Sequence, residues 1–143
     1  MTPTVPELLL GNMLCLADPP PEESLGDFFA SRVGVTGMIS MLCAQEAERG
    51  IEARVWENHA IREVLTTASL RYGADYAGAA GGNEDDLTIS ALDRENAALR
   101  RALITLHIAA EDVGDTALHH EILRLYVQMA DARRLDLPPL PTG

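Results

Sequence analysis

Residues 56–65 read WENHAIREVL, and residues 94–103 read RENAALRRAL. Aligned on Glu57 and Glu95, the two stretches share Glu-Asn-x-Ala-(Ile/Leu)-Arg-x-x-Leu. Five of nine positions are identical: Glu57/Glu95, Asn58/Asn96, Ala60/Ala98, Arg62/Arg100 and Leu65/Leu103. How one short chain uses the same box twice decides its fold.

A heptad fits the second box. Ile89, Asn96, Leu103 and Ala110 fall at a, and Leu92, Leu99, Leu106 and Val113 at d, so Asn96 alone is polar in the seam. Glu95 then occupies g and Arg100 occupies e, the positions that exchange ion pairs across a coiled-coil seam. Residues five apart on one helix do not face each other, so this Glu-Arg spacing points to pairing between helices. In the first box Ile51, Asn58, Leu65 and Tyr72 fall at a, and Arg54, Ile61 and Ala68 at d, with Glu57 at g and Arg62 at e. Arg54 interrupts that seam. Carried backwards, the register meets Gly37, Ser40, Ala44 and Ala47, small residues that let another helix approach closely.

A buried Asn at a is costly unless it meets another polar group, and it fixes register and partner number. Two arrangements satisfy it. Asn58 and Asn96 meet within one chain, or each meets its own copy in a parallel dimer. We mark Asn58, Asn96, Glu57, Arg62, Glu95 and Arg100 as interaction residues and expect association, as a homodimer or with another helical protein.

The rest of the chain predicts an all-α helical bundle with coiled-coil-like packing. Residues 1–26 form a Pro-rich N-terminal strip in which LLLGNMLCLA is either a short helix entered at Pro6 or an extended segment, followed by Pro19-Pro20-Pro21. Residues 27–72 read as one long helix, weakened or bent at Gly50, after which no capping residue starts a new one. Residues 73–86, rich in Gly and Ala and then acidic, read as a linker. Residues 87–135 read as an antiparallel hairpin capped at Asp85 or Asp86, broken at Gly114-Asp115, and continued by Leu118, Ile122, Leu125, Met129 and Ala132 in steps of four and three. Residues 136–143 are a Pro-rich tail. Period-two alternation is missing, so no strand is expected.

Composition narrows the function classes. The 143-residue chain is 47% apolar but only 4% aromatic, and all eleven basic residues are Arg. Without Lys there is no P-loop lysine, no Schiff-base lysine and no Ser-Lys dyad. This Lys-free bias fits a GC-rich bacterial genome. A formal charge of −11 opposes binding to nucleic acid or anionic membrane surfaces. Arg100-Arg101 and Arg133-Arg134 read as solvated faces or salt-bridge partners. The N-terminal apolar stretch has no basic leader, and the run from Val33 is too short to span a bilayer. Cys15 and Cys43 lack Cys-x-x-Cys spacing and read as reduced, inert thiols. A cytoplasmic location is expected.

Catalytic and cofactor signatures are sparse. No Glu is followed three residues later by His, and His120-Glu121 lacks the second His of the zinc-protease motif. His59 and Glu63 have ligand spacing but point to solvent. His107 and Glu111 lie one turn apart, and His119 lies across the expected turn, a set whose chemistry suits zinc or iron. Both histidines fall at e, outside the seam, and we read all three as flank residues. The expectation is a non-catalytic protein with no cofactor, working as an adaptor, regulator or accessory subunit. A small metal- or ligand-binding bundle is the alternative.

Overall fold

The computed structural model describes residues 3–17, 25–82 and 85–137. The Pro19–Pro21 run and the tail beyond Leu137 lie outside the described residues. Among the described residues five helices follow in order: α1 (Val5–Ala17), α2 (Leu25–Tyr72), α3 (Ala74–Ala80), α4 (Ile89–Asp112) and α5 (Thr116–Ala132). No strand occurs among the described residues, and among them no helix is long and apolar enough to cross a membrane.

The chain divides into two compact units. One comprises residues 1–49 and 134–143, and the other comprises residues 50–133. In the first unit, α1 opens on one arm of a capping box, the glutamate reaching back to Thr4. The Glu7 carboxylate accepts from the Thr4 amide at 2.8 Å and from its hydroxyl at 3.0 Å, which satisfies a donor that the helix start leaves over. The LLLGNMLCLA stretch is therefore helical rather than extended. α2 begins at Leu25 and is unbroken through Gly50. Within the same unit, the Gln45 side chain forms a two-way amide pair with the Asp136 backbone, at 2.9 and 2.8 Å.

The second unit is built from residues 50–72 of α2 together with α3, α4 and α5. Its core is aliphatic: Ile61, Leu65, Leu99, Leu103, Leu106 and Ile122 are at most 2% exposed. On α4 the buried positions are Leu92, Asn96, Leu99, Leu103, Leu106 and Ala110, the a and d sites of the heptad. On α5 they are Leu118, Ile122, Leu125 and Met129. The two seam ends, Ile51 and Val113, are exposed.

Cross-helix contacts fix the directions. Near the start of this stretch of α2, Glu57 meets Arg133 just after α5, whereas Tyr72 at its end meets Asp115 just before α5. α5 therefore runs antiparallel to α2, and α4 runs parallel to it. The α4–α5 turn is made by Gly114 at φ 70°, a left-handed conformation that glycine adopts without a Cβ penalty. The Asp115 amide returns to the Ala110 carbonyl at 2.8 Å.

Two local expectations need correction. Residues 73–86 are not wholly linker, because Ala74–Ala80 forms α3, with Ala80 buried and Tyr76 packed against the core. The α4 N-cap is Thr88, not Asp85 or Asp86. Its side chain accepts from the Ala91 amide, while Asp86 instead holds the Thr88 amide at 3.0 Å. Thr88 is the first position from which a hydroxyl reaches the amide three residues into the apolar-periodic segment.

Asp115 caps α5 through the Leu118 amide at 3.2 Å, accepts from the Tyr72 hydroxyl at 2.9 Å, and pairs with Arg71 at 2.9 Å. The Leu118 amide first, and then the Tyr72 hydroxyl, lower its pKa below the ordinary 3.8, against the upward push of burial. A carboxylate whose pKa falls on folding contributes stability above its unfolded pKa, and that stability disappears as pH falls through the folded value. Asp115→Asn should therefore lower the unfolding midpoint at pH 7, with the deficit shrinking below about pH 4, as followed by circular dichroism across pH. In the core, Leu103→Ala should cost about 2–5 kcal/mol in urea denaturation. Leu70→Ala, at a position 88% exposed, should stay within about 0.5 kcal/mol.

Candidate functional site

The two boxes meet each other. α2 and α4 lie parallel and in register, and Asn96 Nδ2 donates to Asn58 Oδ1 at 2.8 Å. Asn58 Nδ2 reaches the Leu92 carbonyl at 3.4 Å. Around this a–a pair the ion pairs are reciprocal: Glu57 with Arg100, and Glu95 with Arg62. Each Glu at g reaches the Arg at e of the other box, the pattern of a parallel coiled coil folded into a single chain. All six residues marked for interaction are thus engaged within the chain, so the box by itself carries no argument for a second copy.

Two residues that sequence reasoning left aside complete the arrangement. Arg133, grouped with Arg134 as a surface or salt-bridge pair, donates from Nε to Glu57 Oε2 at 2.6 Å. Glu57 has no exposed surface. It accepts from Asn96 at 2.9 Å and from Arg100 at 2.7 Å through its other oxygen, so one carboxylate ties α2 to α4 and to the chain just past α5. Arg54, which interrupts the apolar seam, is buried as well. It donates to Asp93 at 2.8 Å and to the Gly50 carbonyl at 2.8 Å. Only arginine's rigid fork reaches two acceptors in this way. The signal for Arg54 was present, since a charge at d survives burial only with a partner.

At the opposite end of the α4–α5 hairpin lies a second constellation. His107 Nε2 and His119 Nδ1 are 3.0 Å apart. Glu111 Oε1 stands 3.4 Å from His119 Nδ1 and 3.8 Å from His107 Nε2. Among the described residues, these three are the one group of His, Cys, Asp or Glu side chains close enough together to share an ion. The imidazoles are largely covered, whereas the Glu111 side chain is 54% exposed. The Tyr126 ring packs on His107 at 5.7 Å, and His120 lies 5.5 Å from His119. Burial pushes the Tyr126 hydroxyl above its ordinary pKa; Arg100 opposes that shift and Glu111 adds to it. His59 and Glu63 are both exposed, and nothing brings a third ligand to them among the described residues.

Cys43 is buried and Cys15 partly covered, both free thiols. Trp56 is exposed. Comparison with known proteins gives no match to a family model, to a curated sequence or to a solved structure.

The buried carboxylate makes the polar end of the bundle a measurable staple. Glu57→Ala removes the buried carboxylate that Arg133, Arg100 and Asn96 share, leaving Asn96 only Asn58 and Arg133 only the more distant Asp93, and should cost about 3–5 kcal/mol. Arg100→Ala, at a side chain 44% exposed, should cost about 1 kcal/mol or less because solvent screens that pair. Equal losses in urea titrations of the two variants would show that the carboxylate does not organise the helix ends.

Proposed function

We propose that the chain is a non-catalytic helical protein that acts through helix–helix association, and that its first partner is a second copy of itself. The supporting observation is an open seam on α2. Beyond the buried Arg54, which interrupts it, the heptad filled by Asn58, Ile61, Leu65 and Ala68 resumes backwards through Ile51, Ala47, Ala44, Ser40, Gly37 and Val33, and each of these six is exposed. A Cβ built on Gly37 would meet nothing within 4 Å. On the same helix Cys43 and Glu46 are buried, so the chain covers one stripe of this segment and leaves the seam stripe bare.

The seam has the composition of an interface core. From Gly34 to Gly50 the flanking e and g positions are Gly34, Thr36, Met41, Cys43, Glu48 and Gly50, of which Cys43 and Gly50 are already buried within the chain and Glu48 carries the one charge. Depletion of charge marks the centre of protein interfaces. In a chain of net charge −11, an uncharged stripe is where two copies approach with the least repulsion. Small residues let the helix backbones pack closely, and a two-fold arrangement presents the same stripe on both sides. Leu9, Leu10 and Leu14 on α1 and Phe29 on α2 are also more than half exposed, and they extend the apolar surface of the N-terminal unit. In this reading the stapled unit of residues 50–133 is a scaffold, and the N-terminal unit carries the contact.

Sedimentation equilibrium on the full chain tests this. The wild type should behave as a dimer, and Ala44→Arg should shift it to monomer without loss of helical circular dichroism. A wild type that stays monomeric at its highest soluble concentration sinks the proposal, as does a dimer indifferent to Ala44→Arg.

A further inference from the structure

We infer that His107, Glu111 and His119 form a binding site for one divalent transition-metal ion, zinc in the first instance. The argument is geometric. The three donor atoms form a triangle with sides of 3.0, 3.4 and 3.8 Å. A point equidistant from its corners lies about 2.0 Å from each atom, the length of a zinc bond to imidazole nitrogen or carboxylate oxygen. Tetrahedral ligands at bonds of about 2.1 Å stand about 3.4 Å apart, the middle of the observed range. Three facial ligands of an octahedral ion with similar bonds stand only about 3.0 Å apart. The triangle therefore favours a tetrahedral ion with its fourth position open.

The donor chemistry agrees. Two imidazoles and one carboxylate are hard to borderline ligands, suited to zinc, and no thiol lies in the cluster to select a softer ion. The helices present the site without rearrangement of the backbone. His107 and Glu111 are one turn apart on α4, and His119 enters from the first turn of α5 just past the Gly114–Asp115 break. The imidazoles are held by packing against Tyr126 and His120, while the more exposed Glu111 closes onto an ion arriving from solvent.

A hydrogen bond across the 3.0 Å between the two facing nitrogens needs a proton on one of them and a lone pair on the other. A metal needs both lone pairs. The ring that carries the bridging proton must give it up to solvent or to its other nitrogen before both lone pairs can face the ion. An ion so placed cross-links α4 to α5 and stabilises the folded hairpin by mass action.

The test uses the full chain freed of metal by chelation and dialysis. Calorimetric titration with Zn²⁺ should give saturable binding at one ion per chain. Co²⁺ should bring the visible absorption of a tetrahedral ion, and Zn²⁺ should raise the melting temperature where Mg²⁺ does not. His107→Ala, His119→Ala and Glu111→Gln should each weaken binding at least tenfold, while His59→Ala leaves it unchanged. Glu111→Gln replaces an exposed side chain, so it reports on the site even if a histidine variant folds poorly. The inference is overturned by an absence of saturable binding, by binding that survives Glu111→Gln undiminished, or by loss of binding equally in His59→Ala. Half an ion per chain also overturns it, because the ion would then bridge two copies. None of these outcomes depends on whether the open seam of α2 pairs.

Discussion

A single buried carboxylate, Glu57, holds the three long helices of the second unit at one end. It has no exposed surface, and its two oxygens accept from Asn96 and Arg100 on α4 and from Arg133 just past α5. An anion taken out of water is tolerable only when its lone pairs are met by donors and opposite charge. Once Glu57 is committed to the interior, the positions of α4 and α5 relative to α2 are no longer free. The aliphatic core then fills the remaining length, and Asp115 closes the far end with Tyr72 and Arg71. Apolar packing supplies the larger share of the stability but is nearly indifferent to register. Partners at fixed positions on each helix, such as Asn96, Arg100 and Arg133 around Glu57, are met in this register.

That division of labour explains the doubled box. Two parallel helices in register need the chain to return to its starting level before the second begins. From Tyr72 back to the level of Ile51 is about 32 Å at 1.5 Å per residue, and residues 73–88 must cover it. A fully extended chain of that length spans more than 50 Å at about 3.4 Å per residue, so part of it is free to coil into α3. The return passes close to the paired boxes. At Gly82 an added Cβ would collide with the Glu95 carboxylate that pairs with Arg62. The spacing between the boxes is thus set by a helix, a crossover and the first turns of another helix.

The sequence made the helices and the hairpin legible because Leu99, Leu103, Leu106, Ile122 and Leu125 repeat at heptad steps with few interruptions. It left the Asn58–Asn96 pairing open between one chain and two, and nothing local decides that. The answer lies in whether the crossover can bring α4 back alongside α2. α3 was hidden because seven residues of Ala, Gly, Asp and Tyr carry no usable period, and its place depends on Tyr76 and Ala80 reaching a core assembled from elsewhere. Arg54 looked like a flaw in the seam, and Arg133 like a solvated or salt-bridged residue with no partner named, because their partners lie 39 and 76 positions away. The two histidines were assigned to the flank by their e positions. In an antiparallel pair, however, an e position on one helix faces an e position on the other, and His107 and His119 meet for that reason.

Charge connects the two ends of the molecule to what it can approach. Arg54, Arg62, Arg100 and Arg133 are drawn into the bundle interior and its rim against Glu57, Asp93 and Glu95. Of eleven arginines and twenty-two carboxylates, the rest of the chain therefore keeps seven against nineteen. Neutralising the interior concentrates negative charge elsewhere. Over the roughly 8–10 Å that salt leaves unscreened, an excess of exposed carboxylates disfavours the approach of another acidic chain and attracts small cations. The a and d positions of α2 from Val33 to Ile51 carry no charge, and Glu111 is an exposed carboxylate set beside two imidazoles. Among the described residues, that placement of arginines leaves two untypical places: a row of uncharged positions on α2 and a cluster of nitrogen and oxygen donors at the α4–α5 turn.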